Sequence, residues 1–505
     1  MAKPRVKVSH DGQFVANYEG AGVVHQGLRD WYAPTADADS ALEGDRDVLI
    51  DRSYDVYRNN AIARAAIDSL VNGIVGSGLR LQSTIDSDVL DITPTQAEEI
   101  EEQLEYDFDL WASSVESDLT RRENFYQSQR TIERDAKLGG DAFCLFPYLK
   151  RKASPWGLKF QLVDGQRVSN PNRGINTSKL TFGIEKDRYG AAKRVHIQTS
   201  HPGSKFFEDN WKWDAREIYG KRTGRKNVLH YFMPERIGQT RGAPTLAPVL
   251  ALLKEAGTYL ESEVRSAVVS SYFTAFLLKE SGGGPGPALP QGKLAGGASL
   301  GPNEIAMGSA SIVELPSWVK EIAFADPKRP NANAAEFIHF MMELIGAATG
   351  LPLEIILKKF QSSYSASRAA KLEAGSTYTA GRVNLANGYC QPTYSSFVDE
   401  GVAAGRYKLP GYEDPYKRLA YLGSEWIGPT LGQIDELKAW QAQKLAKEIG
   451  GKSMNRITRE MTGEPYKAVK KQIDKEQNHG TSTDTDGDNA GTQGQVSEEP
   501  AGAVG

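Results

Sequence analysis

The sequence predicts an α+β protein, and three features of its 505 residues support that fold class. Apolar residues recur at helical spacing in three stretches between 47 and 138. Short β-type runs, separated by Gly, Pro and Asn, follow between 142 and 232. Two longer helical patterns, 245–271 and 334–349, then flank a Gly/Pro-rich insertion at 281–303.

Composition indicates a soluble intracellular protein with more than one structural module. The net charge is −4 and the pI is near 6.1, whereas proteins that bind nucleic acid over their whole surface are normally basic. Any DNA contact is therefore expected to be local or weak. Cys144 and Cys390 form no CxxC pair, which argues against a disulfide framework or a cysteine zinc site. No apolar run is long enough to cross a bilayer.

The first helices are predicted from apolar spacing and from stop signals. One helical stretch runs from about Asp47 to Gly73, and a strand begins at 79–82. A second begins after Thr93-Pro94, where the following glutamates are explained by a solvated helix start. Leu104, Phe108 and Trp111 share one face of it. The third covers about 124–138.

Five strands are expected at 142–149, 158–162, 182–186, 194–198 and 228–232. With the preceding helices they place 47–240 in one α+β domain, after an irregular arm at 1–45. His196 and His230 alternate within these strands, and structural, hydrogen-bonded histidines explain them better than metal ligation does. Further strands at 312–315 and 319–324 close the insertion.

The stretch 324–370 is predicted to be two helices joined by a polar hinge. The first helix, 334–349, stops at Gly350 and Pro352, and the second runs from Ala366 to about residue 400 with a break near Gly388 and Pro392. The apolar stripe of the first helix consists of Phe337, Ile338, Met341, Leu344, Ile345 and Ala348.

The C-terminal part is expected to contain a basic amphipathic helix pair and a tail. The helices are predicted at 432–448 and 455–472. Residues 476–505 contain only acidic charges and almost no large apolar groups. Such a segment cannot bury enough surface to offset its ordering entropy, so disorder is predicted there.

No motif for catalysis or cofactor binding is complete. The sequence around Gly292-Lys293 resembles a P-loop, but Pro287 and Leu294 replace the first glycine and the hydroxyl. There is no GxSxG, no HExxH and no metal-ligand spacing among the seven histidines. The serines at 362–367 have no nearby His or Asp partner. We therefore expect no catalytic residue, no metal, no cofactor and no enzymatic activity.

Lys358 and Lys359 are compatible with two roles. They are ordinary charges at a helix C-terminus, favoured by the helix dipole, or they are cations that a mobile loop offers to a polyanion. Residue chemistry alone leaves these two interpretations equally supported.

Several separate blocks of the chain resemble the lambda-like family of tailed-bacteriophage portal proteins. They are DVYRNNAIARAAIDSLVNGIVGSGLRLQ at 55–82, DFDLWA at 107–112, GGDAFCLFPYLK at 139–150, VLHYFMPERIGQTRGAPTLAPVL at 228–250, FADPKRPNAN…TGLPLEIILKKFQSSYSASRAAKLEA from 324, and EWIGPTLGQID at 425–435. Their order along the chain is that of the family, which makes the set more specific than any single block.

The resemblance implies the portal fold, with a wing, two-helix stem, clip, tunnel loop and helical crown, assembling into a ring of normally twelve subunits. The corresponding segments are an N-terminal arm (1–46), wing (47–244), first stem helix (245–273), clip (274–330), second stem helix (331–349), tunnel loop (350–366), long wing helix and return (367–429), crown (430–475) and disordered acidic tail (476–505). The implied DNA-channel residues are Lys358, Lys359, Gln361, Ser362, Ser363, Tyr364 and Arg368.

The resemblance also implies a passive role at one capsid vertex of the virion, after assembly in the bacterial host cytoplasm. Double-stranded DNA passes the channel during packaging and ejection without sequence preference. The implied partners are the terminase large subunit, the head-completion (connector) protein and the major capsid protein or scaffold, with no membrane. The missing P-loop fits, because the terminase is the family's packaging ATPase.

Two alternatives are a non-portal oligomeric ring or adaptor, and a nucleic-acid-processing enzyme. The second would require clustered carboxylates or histidines, which the sequence does not display.

Overall fold

The structure is a computed structural model that describes residues 31, 33–205, 212–271, 275–279, 319–324, 334–360, 363–428, 436–462 and 466–480. Several sequence predictions therefore lie outside the described residues: most of the arm, the insertion, the strand at 312–315 and the tail beyond 480. The described chain mixes helices and sheets, which confirms the α+β class.

Fifteen helices occur in the described residues. They are α1 (Ala38–Leu42), α2 (Arg46–Asn59), α3 (Ala61–Ile74), α4 (Ser87–Leu90), α5 (Pro94–Ser113), α6 (Phe125–Gly139), α7 (Leu250–Ser271), α8 (Ala334–Thr349), α9 (Leu353–Leu357), α10 (Tyr364–Leu385), α11 (Gln391–Ala403), α12 (Pro415–Tyr421), α13 (Glu436–Glu448), α14 (Met454–Thr462) and α15 (Tyr466–Gly480).

Eleven strands form four sheets in the same described residues. The strands are β1 (Arg80–Ser83), β2 (Asp141–Leu145), β3 (Gln161–Asp164), β4 (Leu180–Thr181), β5 (Ile184–Lys186), β6 (Ala192–Gln198), β7 (Trp213–Glu217), β8 (Val228–Phe232), β9 (Ala275–Lys279), β10 (Val319–Phe324) and β11 (Ser424–Ile427). The sheet orders are β1-β11, β10-β9, β3-β2-β8 and β4-β5-β6-β7. Each predicted strand region inside the described residues contains a strand, whereas β4, β7, β9 and β11 were not anticipated.

The chain forms two compact units. Unit 1 comprises Met1–Asn59, Asp135–Cys144 and Val163–Ala251, and unit 2 comprises Asn60–Arg134, Leu145–Leu162 and Leu252–Gly505. Unit 1 holds the antiparallel sheet β4-β5-β6-β7, in which Arg194 of β6 pairs with Glu217 of β7. Residues of both units fall within the predicted wing, 47–244.

The core of unit 2 is built around Phe108 of α5, which is fully buried. Five aromatic rings surround it at centroid distances between 5.3 and 5.8 Å: Trp111, Phe125, Tyr394, Phe397 and Trp426. Aromatic pairs of this kind each add about 0.5–1.5 kcal/mol beyond area burial. The predicted apolar face of α5 is therefore confirmed, and it packs against α11 and β11, which lie some 300 residues further along.

The predicted helix from Asp47 to Gly73 is two helices. Asn60 separates α2 from α3, and its side-chain Oδ1 accepts hydrogen bonds from Ile62 N (2.9 Å) and Ala63 N (3.2 Å). This is an N-cap, so the chain restarts a helix there. The predicted end at about Gly73 agrees with α3, whose last residue is Ile74. A Cβ at Gly73 would lie 2.3 Å from the Tyr378 ring.

The predicted break near Gly388 and Pro392 is also wrong. A π-helical turn, Ala386–Cys390, joins α10 to α11 without interruption. Such a turn shifts the hydrogen-bond register, and Pro392 then sits in the first turn of α11, where its missing N–H is tolerated. Tyr389 holds the turn through a 2.7 Å bond between its hydroxyl and the Ser128 Oγ.

The C-terminal helices are three rather than two. Arg459 of α14 is buried, donates to the Leu81 carbonyl and lies 2.5 Å from a Glu105 carboxylate oxygen. This ion pair attaches α14 to β1 and α5 within unit 2. No helix in the described part of the chain combines the length and apolarity needed to span a bilayer.

Candidate nucleic-acid interface

The segment between α8 and α10 contains the residues predicted to contact DNA. The helix α8 ends at Thr349, as the sequence predicts, and the Leu351 N–H donates to the Gly346 carbonyl (2.9 Å) to close it. Pro352 is the N-cap of α9, and Ser363 is the N-cap of α10. The predicted tunnel loop, 350–366, thus contains the short helix α9 and the start of α10, and only 350–352 and 358–363 lie between helices.

The helix α9 is stabilised by the burial of apolar side chains within it and directly before it. Leu351 is 3% exposed and Ile356 is 2% exposed, and α9 packs against α3, α8 and α10. The sequence does contain a signal for it, since Pro352 is followed by a run of good helix formers. We treated the proline only as a stop, although proline is equally suited to a helix start.

Lys358 and Lys359 follow α9 and are both exposed. Lys358 is the C-cap in a left-handed conformation (φ 55°), and the Lys359 N–H donates to the Glu354 carbonyl at 3.2 Å. Within the described residues neither ammonium group has a recorded ion pair. Their backbone position is that of helix-terminal charges, while their side chains are available to an external anion, so both sequence interpretations persist.

The other predicted channel residues differ from one another in structural position. Ser363 Oγ accepts a long hydrogen bond from Ala366 N (3.4 Å) and lies 3.0 Å from Ser365 Oγ, so it is a helix cap. Arg368 is exposed on the second turn of α10. Tyr364 begins that helix. Gln361 and Ser362 lie outside the described residues.

A cation–π contact extends this basic surface. The Lys371 ammonium nitrogen lies 5.7 Å from the centre of the Phe360 ring, and Phe360 is 46% exposed. The sequence analysis missed both residues. The available signal was the aromatic residue directly after two lysines, a combination that often occurs in nucleic-acid-binding surfaces.

The stem-like helices α7 and α8 contact each other but leave apolar groups in solvent. Tyr259 and Phe337 meet edge to face, with ring centroids 5.3 Å apart. Met341 and Ile345 are buried, whereas five apolar side chains on the two helices are 43–62% exposed: Val264, Val268, Phe337, Phe340 and Leu344. The predicted stripe on α8 is therefore divided, and part of it is uncovered in the single chain.

Comparison with known proteins identifies the family. A family model described as "Phage portal protein, lambda family" matches residues 25–382, which is well over half of the chain. This chain belongs to the lambda family of phage portal proteins.

Two curated relatives extend the match beyond that range. Portal protein B of Escherichia phage lambda is 25% identical over 471 residues, covering 86% of this chain and 84% of the relative. The portal protein of Escherichia phage N15 is 25% identical over 456 residues, covering 86% and 85%. The resemblance seen in the sequence blocks is thereby confirmed.

Solved structures with a similar chain come from gene transfer agent particles. The neck of a native particle, computed with C12 symmetry, gives a TM-score of 0.42 at 10% identity, over 82% of this chain and 92% of that one. The virion of a native particle gives 0.43 at 11% identity, over 84% and 94%.

Two of the portal-like sequence blocks meet in the core of unit 1. Asp141 follows the Gly-Gly of the block at 139–150, and Arg241 belongs to the block at 228–250. Both side chains are 0% exposed. Arg241 binds both carboxylate oxygens of Asp141 and also donates to the carbonyls of Gly165 (2.6 Å), Val168 (2.8 Å) and Phe182 (2.9 Å). We call this set the Asp141–Arg241 clamp.

Two arginines keep the buried Asp141 carboxyl group ionised. Burial alone would raise the pKa of Asp141, but Arg241 and Arg46 hold it well below its usual value. His230 Nε2 lies 3.0 Å from the Asp141 carboxylate, and its ring stacks on Phe143 at 4.3 Å. The structural role predicted for His230 is confirmed.

A contact between α3 and α10 in unit 2 positions α10. The Arg382 guanidinium donates to the carbonyls of Gly73 (2.7 Å) and Ile74 (3.1 Å), which end α3. Burial lowers the pKa of Arg382. These bonds satisfy helix carbonyls that have no partner within α3. They fix α10, and with it Arg368 and Lys371, against α3.

No group of three or more His, Cys, Asp or Glu side chains in the described ranges could hold a metal ion. The candidate interface is therefore defined by exposed cations and by helix ends.

Proposed function

We propose that this chain is the subunit of a portal ring, normally of twelve copies, at one vertex of a tailed phage or phage-like capsid. Double-stranded DNA passes through its central channel during packaging and ejection. Membership of the lambda portal family over 25–382 supports the role. The protein acts structurally, without catalysing a reaction itself.

The observation that carries ring formation is the uncovered apolar surface of the stem helices. A helix with apolar groups on several sides is normally buried, yet Phe340 on α8 is 56% exposed and Val264 on α7 is 62% exposed. Large apolar patches on a single chain mark interaction surfaces. In the proposed ring, the stem helices of neighbouring copies cover these side chains.

The proposed channel lining is the segment after α8, with Lys358, Lys359 and Arg368 as its cations. Each phosphate that a cation neutralises releases counterions and strengthens binding. A duplex that must slide requires few such contacts, and a chain with net charge −4 meets that requirement. Gln361, Ser362, Ser363 and Tyr364 complete the proposed loop.

The proposed partners follow from the same role. The clip, 274–330, docks the terminase large subunit during packaging and the head-completion (connector) protein afterwards. The wing contacts the major capsid protein or scaffold. The assembled portal belongs to the virion, and its assembly takes place in the bacterial host cytoplasm.

Negative-stain imaging of the purified chain tests the proposal. We expect closed rings with a central hole wide enough for duplex DNA. A monodisperse monomer with metal-dependent nuclease activity would contradict the portal role and favour a nucleic-acid-processing enzyme. Rings without a central opening would favour the adaptor alternative.

The variant Phe340→Asp tests the stem interface. Burying a phenylalanine contributes about 1.5–3 kcal/mol, so we expect the fraction of chains in rings to fall by about tenfold or more, with an unchanged melting temperature. Ile175→Asp is the matched control, because Ile175 is 84% exposed and lies outside the stem. Equal ring formation by the two variants, measured by sedimentation, would show that α8 does not form the interface.

A further inference from the structure

The predicted crown is basic in a chain that is otherwise acidic. Residues 430–475 contain ten Lys and Arg against six Asp and Glu, while the whole chain contains 60 against 64. Part of this charge is neutralised inside the crown, since Glu460 accepts from both Lys452 and Arg456. The remaining excess lies mainly on α13 and α15.

On α15 three exposed lysines lie within a sector of about 140° around the helix axis. Lys470, Lys471 and Lys475 are exposed, and no ion pair is recorded for them within the described residues. At 100° per residue Lys471 and Lys475 lie roughly opposite Val469 and Ile473, and Lys470 lies about 100° from Lys471 on the flank of the helix. Lys471 and Lys475 are four residues apart, about 6 Å along the axis. Like charges at this spacing disfavour a helix.

The helix is nevertheless attached to α14 at its N-terminal end. The Tyr466 N–H donates to Asn455 Oδ1 of α14 at 3.2 Å, and α15 packs against α14. Arg459 in turn attaches α14 to β1 and α5. The lysines are therefore presented to solvent by a supported helix, and repulsion among them would be relieved by a polyanion along that face.

We propose that this face of α15 is a second, sequence-independent binding surface for the phosphate backbone of double-stranded DNA, separate from the channel segment after α8. The proposal rests on the proposed function, which brings duplex DNA into the same particle. Charge complementarity carries it: three exposed ammonium groups face outward against a single carboxylate, Asp474, that lies among them in the helical order.

The test measures binding of the full chain to a fluorescent DNA duplex as a function of salt. Each lost phosphate contact lowers the slope of log affinity against log salt by about 0.9. The variant Lys470→Ala, Lys471→Ala, Lys475→Ala is expected to lower the slope by about 2–3 and the affinity at low salt by about tenfold. Replacement of the same three lysines by arginine should preserve both.

A control removes the same charge elsewhere. Lys150, Lys152 and Lys193 are exposed outside the crown, and their triple alanine variant should leave the slope unchanged. If the two alanine variants lose the same amount of slope and affinity, the effect comes from net charge alone, and the proposal is overturned. Imaging the same samples separates the questions, since rings with unchanged DNA affinity would refute this surface and leave the portal role intact.

The acidic residues at 484–499 are a second candidate anionic partner, supplied by the chain itself. If the lysines of α15 bind only that acidic segment, the triple alanine variant leaves the DNA affinity of the full chain unchanged. A chain that lacks 481–505 would then gain DNA affinity, and the same three substitutions would abolish that gain. This pair of results would also overturn the proposal.

Discussion

At the scale of single residues, the Asp141–Arg241 clamp explains why two distant sequence blocks are needed together. The Arg241 guanidinium satisfies a buried carboxylate and three backbone carbonyls at once. A Cβ at Gly242 would lie 1.9 Å from the Gly140 carbonyl oxygen, so the backbones beside the clamp can approach only because glycine stands there.

Removing one partner from the clamp should be costly. Arg241→Ala removes the bidentate partner of the buried Asp141 carboxylate and leaves Arg46 as its remaining arginine partner. We expect the variant to lower the free energy of unfolding by about 3–5 kcal/mol. Denaturant titration of purified protein measures this. Arg265→Ala breaks an exposed ion pair with Glu261 and should cost less than about 1 kcal/mol. Similar losses for the two variants would show that the clamp contributes little.

Asp135 predicts a dependence of stability on pH. Burial, then the nearby Asp164 charge, raises the pKa of Asp135 to about 7, although its carboxylate accepts a hydrogen bond from Tyr54. The folded state therefore holds a proton that the unfolded state releases near pH 4, and stability falls as pH rises from about 4 to 7.

Asp135→Asn should remove the loss of stability between about pH 4 and 7, while its amide oxygen still accepts a hydrogen bond from Tyr54. We expect the melting temperature of the variant to exceed that of the parent at pH 7.5 and to match it near pH 4.5. Asp45→Asn is the control, because Asp45 is exposed. A difference at position 135 that is the same at both pH values would contradict the assignment.

At the scale of elements, the packing of α10 on α3 requires a residue without a Cβ at Gly73. Glycine inside a helix is normally about 1 kcal/mol less favourable than alanine, so Gly73→Ala would be expected to stabilise α3. Here the added Cβ would lie 2.3 Å from the Tyr378 ring. We expect a loss of about 1–3 kcal/mol instead, measured by thermal unfolding.

The second half of this test removes the ring. In a Tyr378→Ala background, Gly73→Ala should no longer destabilise the protein and should recover part of the helix propensity. An identical loss in both backgrounds would mean that the contact with Tyr378 is not responsible.

The sequence predicted an element correctly where the start or stop signal lies in the element itself or directly beside it. The C-terminal end of α8 was predicted correctly because Gly350 and Pro352 directly follow its apolar pattern. The start of α5 was correct because Thr93 and Gln96 form a capping box, with Thr93 N–H donating to Gln96 Oε1 at 3.0 Å. Elements whose formation depends on distant partners were missed, such as β11, which pairs antiparallel with β1.

At the scale of the whole molecule, the channel role of the hinge lysines can be tested in particles. Lys358→Ala with Lys359→Ala should leave ring assembly intact, because both side chains are exposed. We expect less packaged DNA per particle, since two phosphate-binding charges per subunit are lost. Nuclease-protected genome length and amount provide the measurement.

The control for this experiment is Lys150→Ala with Lys152→Ala, which removes the same charge outside the predicted tunnel loop. Unchanged genome length and amount in the hinge variant would restrict Lys358 and Lys359 to the helix-terminal role.

The sequence by itself determined the α+β class, the family, the helices α7 and α8 and the position of the polar segment after α8. Apolar periodicity, glycine and proline act locally, and each family block is a continuous stretch of the chain. Tertiary structure alone decided that the Tyr378 ring packs against Gly73, that Asp141 and Arg241 meet, and that β11 pairs with β1. Each of these depends on a partner distant in the chain, whose position no local pattern encodes.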